Sequence, residues 1–305
     1  MPDIVALGEP MIEFNEEPDG RYRQGFGGDT SNAAIAAARL GAGVRYVTLV
    51  GQDRFGDLLL ELWRREGVDT AYVGRHATAS TGAYVVNHTP AGHAFTYLRA
   101  GSAASLMTPA DVPTTLFVAA KFLHVSAISE AISASACQAV AHAIALAKPA
   151  GCRISYDTNL RLRLWSLEVA RAAIGATVAR ADIVKTSIED ARALSDLPTA
   201  GAVADHYLAA GPRLVVVTMG ADGALLATPE RRETLPAIKI AAVDATGAGD
   251  AFAGALLARL AAGDDPFTAG RFANAAAALA TTGYGAVAPL PTEGAVLALL
   301  ANQRA

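Results

Sequence analysis

Short apolar segments alternate with helical segments along most of the chain. Apolar runs typical of buried strands lie at residues 3–8, 44–51, 121–126, 153–157, 182–187 and 213–220. Segments with apolar residues at helical spacing lie at residues 31–42, 55–67, 131–147, 166–180, 199–210, 249–262, 266–281 and 292–303. This alternation predicts an α/β fold in which helices cover both faces of a parallel sheet.

Two regions depart from this alternation. Residues 70–98 carry β-type segments with no helix between them, and a turn signal, TPAG, at residues 89–92. They predict a small sheet inserted into the main fold or lying across it. Residues 223–236 predict a hairpin, and the alternating stretch IKIAAVD at 238–244 predicts a further strand.

Composition narrows the class of protein. The chain has 305 residues, of which 52% are hydrophobic and 18% charged, so it can bury a substantial core. Its net charge of -4 disfavours a nucleic-acid or acidic-membrane partner, because either would bind a basic surface. Neither a signal-peptide pattern nor a run of about 20 apolar residues is evident. Cys137 and Cys152 lie outside any paired spacing, as is typical of a reducing compartment. Together these features predict a cytoplasmic protein without a membrane span.

The most informative motif is the glycine-rich turn DATGAGD at residues 244–250, which precedes an apolar helical stretch. A helix N-terminus leaves backbone N–H groups unpaired and carries partial positive charge, and glycine lets that backbone approach an anion. Gly247, Ala248 and Gly249 would supply such donors, and Asp250 would lie in the first helical turn. A carboxylate there can accept a proton from a hydroxyl group that attacks a phosphate. The alternative is a tight turn in which Asp250 only complements the helix dipole.

Two motifs together resemble the signatures of the ribokinase-like (PfkB) family of carbohydrate kinases. Residues 244–260 resemble the C-terminal signature, and residues 25–57 combine GG-D-x-x-N with G-x-D-x-x-G, as the N-terminal signature does. The resemblance implies one kinase domain over residues 1–305, with a three-layer α/β/α fold and a central, mostly parallel sheet. It also implies a small β-sheet lid, formed mainly by residues 70–98 with a segment near 12–25.

The same resemblance implies cofactors and residue roles. Asp250 would be the general base, and the backbone of residues 247–249 would form the anion hole for the transferring phosphoryl group. ATP would be the phosphoryl donor, with Mg²⁺ as its metal. A monovalent cation, with K⁺ as the candidate, would lie beside Asp244 and Thr246.

Further segments resemble the nucleotide side of the family's site. Residues 184–191 (VKTSIEDA) resemble the N-x-x-E element, in which Glu189 would hold Mg²⁺ through water, although Thr186 stands at the asparagine position. The residues expected to line the nucleotide loop are Thr218, Gly220, Gly223 and Asn274, the last near the adenine. The alternatives are a helix-start carboxylate for Glu189 and a purely local hydrogen bond for the asparagine.

Three segments resemble 2-keto-3-deoxygluconate kinases in particular: GEPMIEF (8–14), FTYLRAGSAAS (95–105) and YDTNLRLRLWS (156–166). Such a substrate carries a carboxylate beside a keto group, and the planar fork of arginine pairs well with carboxylates. The residues expected to bind it are Tyr97, Arg99, Asp157, Asn159 and Arg161, with Gly28, Asp29 and Asn32 holding hydroxyl groups. Phosphorylation of the terminal hydroxyl would give the 6-phosphate.

Several alternatives stay open at this point. Arg161 or Arg163 would instead neutralise Asp157 or bind ATP phosphates, and Tyr97 would instead pack within the lid. A kinase of the same fold acting on fructose, ribose or a nucleoside would differ only in substrate. A non-catalytic sugar-binding regulator and a dinucleotide-dependent oxidoreductase are rivals from other classes. The pattern fits gluconate- and galactonate-derived acids equally. We expect a homo-oligomer, because a partner subunit would cover the apolar side of the small sheet.

Overall fold

The chain forms strands and helices in the alternation that the apolar pattern predicts. This computed structural model describes residues 2–89 and 92–303. The strands are β1 (Ile4–Leu7), β2 (Met11–Glu16), β3 (Tyr22–Gly27), β4 (Val44–Gly51), β5 (Val68–His76), β6 (Ala83–Thr89), β7 (Gly92–Leu98), β8 (Phe122–Ser126), β9 (Arg153–Asp157), β10 (Ile183–Ser187), β11 (Leu214–Thr218), β12 (Ala224–Ala227) and β13 (Arg232–Leu235). The α-helices are α1 (Asp29–Arg39), α2 (Arg54–Arg65), α3 (Ala127–Ala131), α4 (Ala134–Ala147), α5 (Leu167–Val178), α6 (Ile188–Ser195), α7 (Ala200–Ala209), α8 (Ala248–Ala262), α9 (Pro266–Ala280) and α10 (Glu293–Asn302).

The large sheet has nine strands in the order β13-β12-β11-β10-β9-β8-β1-β4-β5. All neighbours from β11 to β5 pair in parallel, whereas β12 and β13 complete the edge as an antiparallel hairpin. The strand order reverses beside β1, because the chain first builds β4 and β5 on one side and then β8 to β11 on the other. Ligands of such sheets bind at the carboxyl ends of the strands near this reversal.

Helices cover both faces of this sheet, so the predicted three-layer architecture is confirmed. Alternate residues of β1 contribute to the two cores: Ile4 belongs to the core under α1, α2, α8 and α9, and Val5 to the core under α4, α5, α6 and α7. α8 is apolar on nearly all sides because it is buried within the first core. Within the described ranges, none of the helices has the length and apolar character needed to cross a membrane.

A second, four-stranded sheet has the order β3-β2-β6-β7. It contains the segment expected near residues 12–25 and, from the span 70–98, the strands β6 and β7. Residues 70–76 differ from the expectation, because they lie in β5, which pairs in parallel with β4 at the edge of the large sheet. The predicted turn at 89–92 includes residues 90 and 91, which lie outside the described residues.

The strand predicted at residues 238–244 is wrong. Val243 and Asp244 both donate their backbone N–H groups to the carbonyl oxygen of Thr281, at 2.7 and 3.1 Å, just after the end of α9. The segment is therefore held by a helix end and joins no sheet. The predicted helix at 131–147 is also divided, with α3 ending at Ala131 and α4 beginning at Ala134.

α1 and α8 pack in close contact through Gly254. A Cβ atom at this position would lie 2.3 Å from the carbonyl oxygen of Ala33 and 2.8 Å from the Cβ atom of Ala36. Only glycine fits this crossing without moving backbone atoms. The close approach brings the N-termini of both helices to the same edge of the large sheet.

Gly254→Ala should force α1 and α8 apart and lower the free energy of unfolding by about 1–3 kcal/mol, because overpacking displaces backbone atoms. Gly175→Ala is the matched control, since Gly175 lies within α5 with nothing near its missing side chain. It should instead stabilise by roughly 0.5–1 kcal/mol through helix propensity. Urea denaturation measures both. Equal stability of Gly254→Ala and the wild type would contradict the close packing.

Candidate active site

A cleft of about 1870 Å³ lies between the carboxyl ends of the central strands and the small sheet. It brings together residues far apart in sequence. The predicted site residues that line it are Gly28, Asp29, Asn32, Tyr97, Arg99, Asp157, Asn159, Arg161, Glu189, Thr218, Gly220, Gly223, Thr246, Gly247, Ala248, Gly249, Asp250 and Asn274. Asp244 is the predicted site residue that the lining does not include.

Two helix N-termini converge in this cleft, and both begin at a glycine that no other residue would replace without strain. Gly28 precedes α1 with φ 104°, and a Cβ there would lie 2.3 Å from the carbonyl oxygen of Glu9. Gly247 precedes α8 with φ 77°, and a Cβ there would lie 2.9 Å from the Cα atom of Ala286. The convergence concentrates unpaired N–H groups and positive dipole ends in one place.

Asp250 lies at the junction of the two helices. The side-chain amide of Asn32 in α1 donates a hydrogen bond to Asp250 Oδ2 at 2.8 Å. Burial raises the pKa of Asp250 to about 7, and the negative charges of Asp29 and Asp157 add to this rise, while Asn32 and the charge of Lys185 oppose it. A carboxyl group with this pKa exchanges its proton near neutral pH, which suits a proton acceptor.

The other acidic residues of the cleft have fixed partners. Asp29 Oδ2 accepts a hydrogen bond from the side chain of Asn159 at 2.8 Å. Asp157 Oδ2 forms an ion pair with Lys185 Nζ at 2.7 Å. Burial alone would lower the pKa of Lys185, but the charge and hydrogen bond of Asp157, together with the charges of Asp250 and Asp190, outweigh it, so the net pKa lies above its ordinary value. Neither Arg161 nor Arg163 therefore neutralises Asp157, which the sequence had left open.

The glycine turn offers backbone donors to an anion. The N–H of Ala248 donates to the carbonyl oxygen of Ala245 at 3.2 Å within the turn, so this predicted donor is already used. Within residues 2–89 and 92–303, the N–H groups of Gly247, Gly249 and Asp250 have no hydrogen-bond acceptor. A Cβ at Gly249 would lie 3.2 Å from Lys185 Nζ, so a buried cation stands beside the same backbone.

In the segment 184–191, which resembles N-x-x-E, the residues that line the cleft differ in part from those predicted. Thr186 is fully buried and accepts a hydrogen bond from Thr158 Oγ1 at 2.7 Å, so its side chain does not line the cleft. Ser187, Glu189 and Asp190 do line it. Burial raises the pKa of Asp190.

The loop after β11 passes close to the end of β13. Thr218 Oγ1 donates to the carbonyl oxygen of Thr186 at 3.3 Å. Gly223 has φ 93°, and a Cβ there would lie 2.0 Å from the carbonyl oxygen of Leu235, so the loop requires glycine. The side-chain amide of Asn274 donates to the carbonyl oxygen of Pro236 at 2.9 Å, a hydrogen bond between α9 and the segment after β13 and not the local one considered as its alternative.

Asp244 organises the loop before α8. Its Oδ1 accepts hydrogen bonds from the backbone N–H of Thr246 at 2.9 Å and from Thr246 Oγ1 at 2.7 Å. Its Oδ2 accepts from the backbone N–H of Gly285 at 2.9 Å. These bonds join the glycine turn to the segment after α9.

The arginines of the cleft differ in their partners. Arg99 forms a buried ion pair with Glu9, and its guanidinium lies 5.5 Å from the ring centroid of Tyr97. Arg161 is exposed in the cleft and donates to the carbonyl oxygen of its neighbour Leu160 at 2.8 Å. Arg163 donates to the carbonyl oxygen of Phe95 in β7 at 3.0 Å, which links this loop to the small sheet.

Sequence reasoning missed Glu9, Lys185, Ser187 and Asp190 as residues of this cleft. Lys185 carried a signal, because a lysine within a buried strand requires a partner. Glu9 lay in a quoted motif, but its pairing with Arg99 joins positions 90 residues apart. Spacing along the chain does not reveal such a pair.

Comparison with known proteins fits this geometry. The family model described as pfkB family carbohydrate kinase matches residues 1–293. The chain belongs to this family. It is therefore an ATP-dependent carbohydrate kinase with a ribokinase-like fold. Fructokinase-1 of Oryza sativa subsp. japonica is 36% identical over 318 residues, covering 97% of each chain. The 2-dehydro-3-deoxygluconokinase of Thermoproteus tenax is 36% identical over 290 residues, covering 92% of this chain and 88% of that one.

A solved structure is also similar to this chain over nearly its whole length. Fructokinase from Vibrio cholerae O395, in a form with bound fructose, ADP and calcium ion, has a TM-score of 0.90 and 31% identity, and covers 98% of this chain and 99% of that chain. Fructokinases predominate among the similar proteins, and a 2-keto-3-deoxygluconate kinase reaches the same identity. The family is thus established, whereas identity does not choose between these substrates.

The raised pKa of Asp250 predicts a pH-dependent stability. An unfolded aspartate loses its proton near pH 4, whereas folded Asp250 keeps it to about pH 7. This group's contribution is therefore fully present below about pH 4 and lost as the pH rises through about 7. The Asp250→Asn variant has no titrating group at this position, so it should not lose stability in this way. Relative to the wild type, its free energy of unfolding should therefore rise by about 1–3 kcal/mol from about pH 4 to about pH 8.

Asp53→Asn is the control for this measurement. Burial alone would raise the pKa of Asp53, but hydrogen bonds from Gly56 and Thr81 hold it below its ordinary value. Its difference from the wild type should stay constant above about pH 5. Denaturation curves at several pH values decide the matter. Parallel pH profiles for the wild type and Asp250→Asn would show that Asp250 titrates normally.

Proposed function

We propose that the protein transfers the γ-phosphoryl group of ATP to the terminal hydroxyl of 2-keto-3-deoxygluconate, which gives the 6-phosphate and ADP. The observation that carries the reaction is Asp250, a carboxyl group with a pKa of about 7 beside two helix N-termini. The observation that favours an acid sugar is Arg161, which lines the cleft and, in the described part of the chain, has no carboxylate within ion-pair distance.

Asp250 acts as the general base in this proposal. Its carboxylate accepts the proton of the terminal hydroxyl as the hydroxyl oxygen forms a bond to the γ-phosphorus, and the bond from that phosphorus to the ADP oxygen breaks. The N–H groups of Gly247 and Gly249, with the ammonium of Lys185, stabilise the charge on the transferring group. Ala248 contributes through the turn that it closes.

The nucleotide is proposed to bind on the side of Thr218, Gly220 and Gly223, with Asn274 shaping the adenine end. Within the described residues, no group of three or more metal-ligating side chains occurs, so a cation would be shared with the phosphates. Glu189 and Asp190 would hold Mg²⁺ through water, and the ion would neutralise part of the phosphate charge. The loop held by Asp244 and Thr246 is the proposed place for K⁺.

On the sugar side, Gly28, Asp29 and Asn32 are proposed to bind hydroxyl groups. Asn32 Oδ1 is buried and, among the described residues, accepts no hydrogen bond, so it is free to accept one from a sugar hydroxyl. Asp157 pairs with Lys185, and Asn159 donates a hydrogen bond to Asp29, so these two predicted residues fix the side chains that line the same part of the cleft.

Arg161 is proposed to pair with the substrate carboxylate, and Tyr97 adds a hydroxyl group at the edge of the small sheet. The neighbouring Arg99 is not free in the same way, since Glu9 already balances its charge.

A neutral ketose such as fructose is the second candidate substrate. Two observations favour it: most of the similar proteins are fructokinases, and Glu9 neutralises Arg99. A coupled ADP-release assay with Mg-ATP should compare 2-keto-3-deoxygluconate with fructose, ribose and adenosine. The proposal expects the highest kcat/KM with the keto-deoxy acid. A preference for fructose would overturn the substrate and leave the role of Asp250 in place.

Asp250→Asn should lower kcat by about 10²–10⁴-fold and change KM little, because it removes the proton acceptor and keeps the shape. The wild-type kcat/KM should rise with pH through about 7 as Asp250 loses its proton. Glu168→Gln is the control, because Glu168 also lies in the first turn of a helix but outside the cleft. Near-normal turnover by Asp250→Asn would show that Asp250 is not the general base and only complements the dipole of α8.

A further inference from the structure

Glu9 is a buried carboxylate in the cleft for which the phosphoryl-transfer mechanism has no use. It follows β1 directly, is 1% exposed and lines the sugar end. Its Oε1 accepts a hydrogen bond from Ser102 Oγ at 3.0 Å, and its Oε2 pairs with Arg99. Gly82 packs against the same carboxylate, since a Cβ there would lie 3.2 Å from Oε1. Contacts with Ser102, Arg99 and Gly82 therefore fix the position of this carboxylate.

Arg99 is also fixed by several contacts, but one of its nitrogen atoms has no hydrogen-bond acceptor among the described residues. Its side chain is 10% exposed, and its guanidinium also lies against the ring of Tyr97. The Nε group is buried and, among the described residues, has no acceptor. A buried donor without an acceptor costs free energy unless a ligand supplies one. Arg99 thus offers hydrogen-bond donors to the cleft while its charge is balanced.

The remaining cations of the cleft define what is left for an anion. Lys185 is paired with Asp157, and Arg163 is directed to the carbonyl oxygen of Phe95. Within the part of the chain that the structure describes, Arg161 lines the cleft, donates to its neighbour's backbone and has no carboxylate within ion-pair distance, although the charge of Asp190 acts on it from farther away. A carboxylate placed there meets a guanidinium without an ion-pair partner, whereas one placed at Arg99 meets a neutral pair.

We propose that Glu9 determines the charge selectivity of the sugar end: it neutralises Arg99, so that Arg99 binds a neutral keto or hydroxyl oxygen, and binding of a substrate carboxylate depends on Arg161. This inference rests on the proposed sugar-binding role of the cleft. It adds Glu9 as a specificity-determining residue and assigns different substrate groups to Arg99 and Arg161.

The test compares two sugars that differ only at carbon 1. These are 2-keto-3-deoxygluconate and 3-deoxyfructose, in which a hydroxymethyl group replaces the carboxylate. Calorimetry on the full chain gives both dissociation constants. Glu9→Gln keeps the shape and the acceptor for Ser102 but leaves Arg99 as an uncompensated cation. The acid should then bind about tenfold more tightly relative to the neutral sugar than it does in the wild type.

Glu66→Gln is the matched control. Glu66 pairs with Arg39 at 2.8 Å in a similarly shielded pair that does not line the cleft. It removes the same charge and should leave the ratio of the two dissociation constants unchanged. An unchanged ratio in Glu9→Gln, or equal weakening of both sugars, would overturn the inference and leave Glu9 as a structural residue.

The arginine variants decide the question if Glu9→Gln does not fold. The double variant Glu9→Gln/Arg99→Gln removes both charges of the pair and should weaken the two sugars by similar factors, whereas Arg161→Gln should weaken the acid about tenfold and the neutral sugar little. A selective loss of the acid in the double variant would show that Arg99 binds the carboxylate and would overturn the inference.

The proposed substrate and the role of Glu9 fail in different ways. Turnover of fructose with none of the keto-deoxy acid would overturn the substrate alone, because the ratio shift in Glu9→Gln is measured by binding. Failure of the wild type to bind either sugar would overturn both.

Discussion

The contact between α1 and α8 at Gly254 is the constraint on which the site depends. Gly254 has no side chain, and a Cβ atom on it would lie only 2.3 Å from the carbonyl oxygen of Ala33. Both helices therefore deliver their N-termini to one place, and Asn32 reaches Asp250 at 2.8 Å. The N–H groups of the glycine turn that lack an acceptor within the described ranges, the carboxyl group of Asp250 and its hydrogen-bond donor Asn32 are all positioned by one helix crossing.

Charge balance in the cleft then decides what each acidic group does. Asp29 and Asp157 have fixed partners in Asn159 and Lys185, whereas Asp250 has, among the described residues, only Asn32 as a direct hydrogen-bond donor. Burial and neighbouring carboxylates therefore raise the pKa of Asp250 towards neutrality. The same rule distinguishes the arginines of the cleft, because Glu9 balances the charge of Arg99, whereas Arg161 has no carboxylate within ion-pair distance in the part of the chain that the structure describes.

Much of the fold could be predicted because its signals are local. A short apolar run or a helical repeat records how a segment is buried, and the parallel sheet with helices on both faces followed from their alternation. Two segments show the limit. Residues 238–244 alternate like a strand but are hydrogen-bonded to Thr281, and residues 70–76 join the large sheet through β4. No local pattern states which distant segment supplies the partner.

For the site, the sequence by itself determined the glycine turn, Asp250 and the family, because these lie in continuous motifs in which backbone freedom and chemistry are adjacent. Only the tertiary structure decided which cations are free. Glu9 meets Arg99 and Lys185 meets Asp157 across strand ends that the chain reaches at very different points. Charge balance depends on distance and burial in three dimensions, and one-dimensional spacing carries neither.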